Sequence, residues 1–270
     1  MSDQRLLAGY IDVGRAAIDD FVQLLESLPP EDWSVPTDLP GWDVKAIASH
    51  VAHLESVLAG FSQPDVAVEP SEHMTAMTSS YTEQGVAARR ESTPAELIAE
   101  IREASAARFA ELAANPPTDA QVVPDTGVPL EWSWNTLLRN RPLDVWMHEQ
   151  DVRRAVGQPG GMDAAAAVHT ITYYAEGLGY IVAKRAAAAP GTTVVLAIDG
   201  VDPIAVAVTD ERKGVFLSEL PGEPTVRLEL DPESFVVLVG GRRAPRHGAV
   251  RVSGDEQLAS RILANLNTTP

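Results

Sequence analysis

Apolar residues recur every three to four positions over 3–28, where Leu6, Leu7, Tyr10, Ile11, Ile18, Phe21, Val22 and Leu25 fall on one side. That period predicts an amphipathic helix, and Pro29-Pro30 stops it. The turn Leu39-Pro40-Gly41-Trp42 leads to Asp43, an N-cap for a second helix over about 44–60. Residues 61–80 are rich in Ser, Pro, Glu and Thr and read as a long loop. Thr93-Pro94-Ala95-Glu96 is a helix start, with a capping Thr, Pro at the first helical position and Glu three residues after the cap. That helix is predicted to run to about 114, followed by a Pro-containing loop over 115–131. A long helical pattern over about 133–156 ends at Gly157, with Pro159 beyond it. Pro142 is expected to kink this helix or split it.

The pattern changes after residue 160. Asp163 opens a helix predicted over about 164–188, and Gly177 and Gly179 inside it suggest close helix packing. Short β-type runs follow at 193–198, 204–208, 214–217 and 225–230. A helix at about 231–240, a last strand around Arg251-Val252 and a helix over 255–266 close the chain. Strands that follow helices imply a second unit. The predicted architecture is a helical bundle over 1–160 and a smaller α+β domain over 161–270.

Composition narrows the function. The chain of 270 residues carries a net charge of −17, with 38 acidic and 21 basic side chains. No basic surplus exists to displace counterions from a phosphate backbone, so nucleic acid is not an expected partner. Neither is an anionic membrane surface. Met1 is followed by polar Ser2-Asp3-Gln4, and no apolar stretch approaches the roughly 20 residues of a membrane span. A cytoplasmic protein is expected. The charge is uneven: residues 1–160 hold 25 acids and 11 bases, residues 161–270 hold 13 and 10. The absence of cysteine excludes disulfides, thiolate zinc sites and a Cys nucleophile. Phosphate-loop, H-E-x-x-H and G-x-S-x-G motifs are absent. Oligomeric state is not readable.

The candidate chemistry lies with the histidines, six in number: His50, His53, His73, His148, His169 and His247. On the second helix Ile47, Val51, Leu54 and Leu58 mark the core face. His50 lies on its inward flank and His53 about 120° away, toward solvent. On the long helix Asp144 and His148 are i,i+4 neighbours whose side chains meet. This spacing suits an ordinary surface ion pair worth about 0.2–0.5 kcal/mol. It also suits two ligands of one divalent ion, with His50 from a facing helix as the third. Asp151 is placed to accept the spare N–H of His148.

Two segments resemble a known family. Leu39-Pro40-Gly41-Trp42, then Val44 and His50-Val51-Ala52-His53-Leu54, resembles the signature of DinB-like proteins, closest to the mycothiol-dependent maleylpyruvate isomerase family. The run from Asp144 through His148 and Asp151 to Gly157 resembles that family's fourth-helix motif. The resemblance implies a DinB-like four-helix bundle holding a divalent metal, zinc first, on His50, Asp144 and His148. The isomerase type carries Glu where this chain has Asp144, one methylene shorter. Ser234-Phe235, Gly241-Arg242-Arg243 and Val250 to Asp255 resemble the sterol-carrier-like domain appended to these bundles. There an Arg of the second domain serves catalysis, and Arg242 is the positional candidate, with Arg243 and Arg246 as rivals. A solvated basic loop is the other reading of these arginines.

Such a centre implies thiol chemistry. A divalent ion lowers the pKa of a thiol that it binds, and a thiolate attacks electrophilic carbon. Addition followed by elimination gives cis–trans isomerisation, and addition alone gives an S-conjugate. The resemblance implies mycothiol as cosubstrate. The function expected is therefore a metal-dependent isomerase or S-transferase acting on a small-molecule electrophile. The alternative is a non-catalytic module that binds an apolar ligand, with the bundle as scaffold.

Overall fold

The structure, a computed structural model, describes residues 2–71, 74, 79–127 and 130–269. Within this range the chain forms two compact units, 1–167 and 168–270. The first is mostly helical and the second is built on a small mixed sheet.

Helix α1 (Asp3–Ser27) begins where the Ser2 hydroxyl accepts from the Arg5 amide and ends before the two prolines. A short 3-10 turn, Pro30–Ser34, leads to the Leu39–Trp42 turn. Helix α2 (Val44–Leu58) is capped by Asp43, which accepts from the Ala46 amide at 2.8 Å. Helix α3 (Ser79–Ala88) follows. Helix α4 (Pro94–Ala114) opens with both halves of the Thr93–Glu96 capping box. Helix α5 (Trp134–Val156) starts at Ser133 and stops at Gly157, whose φ of 69° is the left-handed conformation that glycine adopts without strain. The long helices pack in a ring, α1 on α5, α5 on α2, α2 on α4 and α4 on α1. Phe21, Leu25, Ile47, Leu97, Ile101, Leu138 and Trp146 fill the space between them.

Three expectations need correction. Of the kink or split expected at Pro142, the split does not occur, since α5 runs unbroken over 23 residues. The proline ring is accommodated beside Gly14 of α1, where even an added Cβ would stand 3.9 Å from Pro142 Cδ. Helix α3 occupies a region where no helix was expected. It packs on α2, and it reaches the end of the stretch read as loop, part of which lies outside the described residues, as does His73. The helix expected over 164–188 is broken. Helix α6 (Ala165–Ala175) ends before Gly177, and a single turn α7 (Leu178–Tyr180) passes into a π-turn over Ile181–Arg185.

In the second unit strands β1 (Thr193–Ile198), β2 (Ile204–Val208), β3 (Gly214–Leu217), β4 (Val226–Leu230) and β5 (Val250–Gly254) form one sheet of order β3-β2-β1-β4-β5. Strands β1 and β4 are parallel, with Val194 opposite Val226, and the other neighbours are antiparallel. Helix α8 (Pro232–Val239) follows β4, and α9 (Glu256–Ala264) packs on β4 and β5. The central strand β1, TVVLAI, is a near-continuous apolar run because nearly all of it is buried, whereas β4, VRLEL, alternates buried and half-buried positions. Among the described residues no helix is long and apolar enough to cross a membrane.

The broken helix has a structural use. Gly179 of α7 lies directly against Gly214 of β3, and a Cβ on Gly214 would stand 2.0 Å from the Gly179 carbonyl oxygen. Of the two glycines noted in the sequence, Gly179 thus serves close packing, against a strand rather than a helix. Gly214→Ala is expected to destabilise the fold by about 1–3 kcal/mol through overpacking. Gly222→Ala, where nothing lies within 4 Å, should stay within about 0.5 kcal/mol. Urea midpoints of the two variants check this, and equal midpoints would refute the packing role.

Candidate metal centre

Helices α2 and α5 face each other, and the bundle interior brings His50, Asp144 and His148 together. His50 Nε2 lies 3.5 Å from Asp144 Oδ2, and His148 Nε2 lies 3.6 Å from Asp144 Oδ1. The two imidazole centroids are 4.8 Å apart. One ligand atom from each residue falls within 4.8 Å of the other two, and the histidines are buried. Trp42, from the turn before α2, lies over both rings, at 5.2 Å from His50 and 5.9 Å from His148. Its indole N–H donates to Glu83 of α3.

Charged neighbours hold the cluster. His148 Nδ1 lies 3.3 Å from Asp151 Oδ2. Asp151 is fully buried and also paired to Arg154, which reaches Asp38 at 2.7 Å. A carboxylate accepts only, so the Nδ1 that faces Asp151 is a donor position and the Nε2 is the nitrogen turned to Asp144. Asp144 is gripped by Arg141, whose guanidinium donates to Oδ2 at 2.6 Å. Arg141 also donates to Glu55 Oε1 at 2.9 Å, and Arg108 of α4 donates to both Glu55 oxygens at 3.1 Å.

Burial opposes the charge on Asp144, but Arg141 and the two histidines outweigh it and hold the carboxyl well below the usual carboxylate range. Burial likewise works against Glu55, and Arg108 and Arg141 overcome it, so its pKa is also lowered. Burial pushes His50 below the ordinary imidazole value, with Asp144 only partly opposing. That direction favours the neutral imidazole, the form that ligates metal.

These features fit a divalent ion. Both ring nitrogens of His50 are buried without a hydrogen-bond partner among the described residues, a costly state for polar atoms unless something fills it. His50 Nε2 faces an ionised carboxylate and a second oriented imidazole. Two histidines and one carboxylate are a zinc-type donor set.

The sequence placed His50 correctly on the inward side and paired Asp144 with His148 and His148 with Asp151. It misplaced His53, which is 4% exposed. Helix α3 covers it, with Gly85 set against its ring. Its Nδ1 meets Gln63 at 3.1 Å, and burial pushes its pKa down to about 4. His53 lines a cavity of about 440 Å³ with Val57, Phe61, Gln63 and Tyr81, to which none of the triad contributes. Glu55, Arg108 and Arg141 were not anticipated. Their only sequence signal was Glu55 lying on the apolar stretch of α2. Arg242 belongs to the second unit. It follows α8, is half-buried and donates to the Gly240 carbonyl at 2.7 Å. Arg243 and Arg246 lie 3.5 Å from Glu233 and Asp231.

Bundle, cluster and sheet define a protein with a helical unit that carries a His₂-carboxylate cluster and a small α+β unit. The family model of the mycothiol maleylpyruvate isomerase N-terminal domain matches residues 15–153, and that of the MDMPI C-terminal domain matches 163–261. The chain belongs to the mycothiol maleylpyruvate isomerase family. It is similar to the crystal structure of the mycothiol-dependent maleylpyruvate isomerase, with TM-score 0.56 and 16% identity over 94% of this chain and 96% of that one. A histidine-to-alanine mutant of that isomerase gives TM-score 0.55 with the same identity and coverage. At this identity the likeness shows the shared fold. No curated protein sequence matches.

Elemental analysis should find about one equivalent of divalent metal in the purified chain. His148→Ala should lose it while keeping its helical circular dichroism. Equal trace metal in both proteins would remove the centre.

Proposed function

We propose that the chain is a metal-dependent enzyme that uses a low-molecular-weight thiol, mycothiol by family, to attack an electrophilic small molecule. The product is either a cis–trans isomer of a maleylpyruvate-type alkene or an S-conjugate. The observation that carries this reading is the convergence of His50, Asp144 and His148, buried and held by dedicated partners. The bound ion, zinc first, would supply positive charge that stabilises a thiolate near neutral pH.

The chain's own residues supply the setting. Asp151 fixes the His148 tautomer, and Trp42 shields both imidazoles from water. The buried charges next to the triad are already matched, Glu55 and Asp144 against Arg108 and Arg141. The charge of a divalent ion would therefore be left uncompensated, a balance that favours an anionic ligand. In the reaction the thiol sulfur bonds to one alkene carbon, and the electron pair moves into the adjacent carbonyl as an enolate. Rotation about the former double bond, now single, and expulsion of the same thiolate as the enolate electrons return restore the alkene in the trans form. If a proton reaches the enolate carbon first, the conjugate is the product. We take Arg242, by its match to the family's position, as the residue that answers the developing enolate charge.

The test is an assay with maleylpyruvate and mycothiol, followed by ultraviolet absorbance and by mass spectrometry. Thiol-dependent, metal-dependent loss of the cis isomer is the expected result. A conjugate without isomer would select the S-transferase. No thiol-dependent turnover, with an apolar ligand bound instead, would favour the non-catalytic module. Arg242→Ala should keep the metal and lower turnover by about tenfold or more, and an unchanged rate would remove Arg242 from the reaction.

A further inference from the structure

We infer that Arg141 is the positioning residue of the centre: it fixes the Asp144 carboxylate so that its two oxygens face the two histidines. This rests on the proposed metal reading and names how the chain prepares its shortest ligand. Arg141 and Asp144 are three residues apart on α5 and share a face. Arg141 is 4% exposed, whereas the Asp144 side chain is 25% exposed. An aspartate at such an edge would otherwise turn toward water. One arm of the guanidinium is anchored on Glu55 at 2.9 Å and the other holds Asp144 Oδ2 at 2.6 Å. Glu55 is fully buried and is held from the far side by Arg108. The anchor is therefore fixed independently of Asp144. With Oδ2 pinned beside His50 Nε2, Oδ1 is left toward His148 Nε2. A planar guanidinium bridges two carboxylates in one fixed geometry, whereas the rotatable donors of an ammonium fix none.

The arrangement contains its own control. Arg108 and Arg141 both hold Glu55, but only Arg141 touches a candidate ligand. Arg108→Met and Arg141→Met remove the same kind of buried partner from Glu55. A purely structural role predicts that they act alike.

The experiment uses the full chain. Zinc affinity is read by competition with a chromophoric chelator, ligand geometry by the visible spectrum of the Co²⁺-loaded protein, and folding by thermal melting. Arg141→Met is expected to weaken zinc binding by about 10–100-fold and to change the Co²⁺ spectrum. Arg108→Met should lower the melting temperature comparably, weaken zinc binding clearly less than Arg141→Met and leave the Co²⁺ spectrum as in the wild type. Wild-type affinity in Arg141→Met, or an equal loss in Arg108→Met, would overturn the inference. Should Arg141→Met not fold, Arg141→Lys carries the test, since it keeps the buried charge but lacks the rigid planar fork. A loss of affinity there supports the role, and wild-type affinity refutes it. A wild-type chain that binds no zinc would instead refute the metal reading itself, a different outcome from a failure at Arg141 alone.

Discussion

The helical unit is organised around a carboxylate that has no access to water. Glu55 is fully buried in the last turn of α2 and is held by Arg108 of α4 and Arg141 of α5. Taking three charges out of water costs several kcal/mol per ion. Such a cluster persists only with close geometry and matched partners. Removing one partner of a buried pair typically costs about 3–5 kcal/mol, whereas a surface pair is worth little. The Glu55 cluster therefore acts as a register pin: sliding α2 along α4 or α5 would strand a buried charge, which a merely apolar contact between helices would not penalise.

That register sets the candidate centre. The contacts Glu55–Arg141 and His50–Asp144 run in opposite senses along the two helices, so α2 and α5 are antiparallel where they meet. Five residues from Glu55 back to His50 are about 7.5 Å of helix. Three to seven residues from Arg141 on to Asp144 and His148 are about 4.5–10.5 Å, which brackets it. Fixing Glu55 against Arg141 thus brings His50 level with the other two residues. The second pin is Asp151, buried between His148 and Arg154. Each turn of α5 that carries a candidate ligand is thus flanked by a buried ion pair, and the imidazoles and carboxylate between them have few orientations left.

Much of this was legible in the sequence. Caps at Asp43, Thr93 and Gly157 marked helix ends, and Val- and Leu-rich runs marked strands, because these signals are local. The i,i+4 pair and its Asp151 partner were legible for the same reason, since one helix carries all three residues. Partnerships between helices were harder. Glu55, Arg108 and Arg141 are 53 and 86 residues apart in pairing, and in sequence each is an ordinary charge among the many of an acidic chain. His53 was misread because its cover, α3, is a polar and weakly patterned helix, SSYTEQGVAA. Without that cover, His53 falls on the solvent side of α2. The helix predicted from 164 broke at Gly177 because a tertiary demand, the Gly179–Gly214 approach, overrode a continuous helical pattern.

The aspartate at position 144 gains meaning in this setting. A family pattern with Glu at this place implies a longer, more flexible arm that can find the ion by adjusting three torsions. Aspartate has two, reaches less far, and loses less freedom when ordered. A shorter ligand can serve only if the backbone and a neighbour bring it to the right place. The register pin does the first, and the distances of 3.5 and 3.6 Å from its oxygens to the two imidazoles are the result. The Arg141 contact accounts for the second. Lengthening the arm to Glu without moving Arg141 would push the carboxylate past its present partners, and the ion pair at 2.6 Å would have to be given up or rebuilt. Aspartate and Arg141 are thus best understood as one unit, in which the short ligand and the rigid donor each make sense of the other.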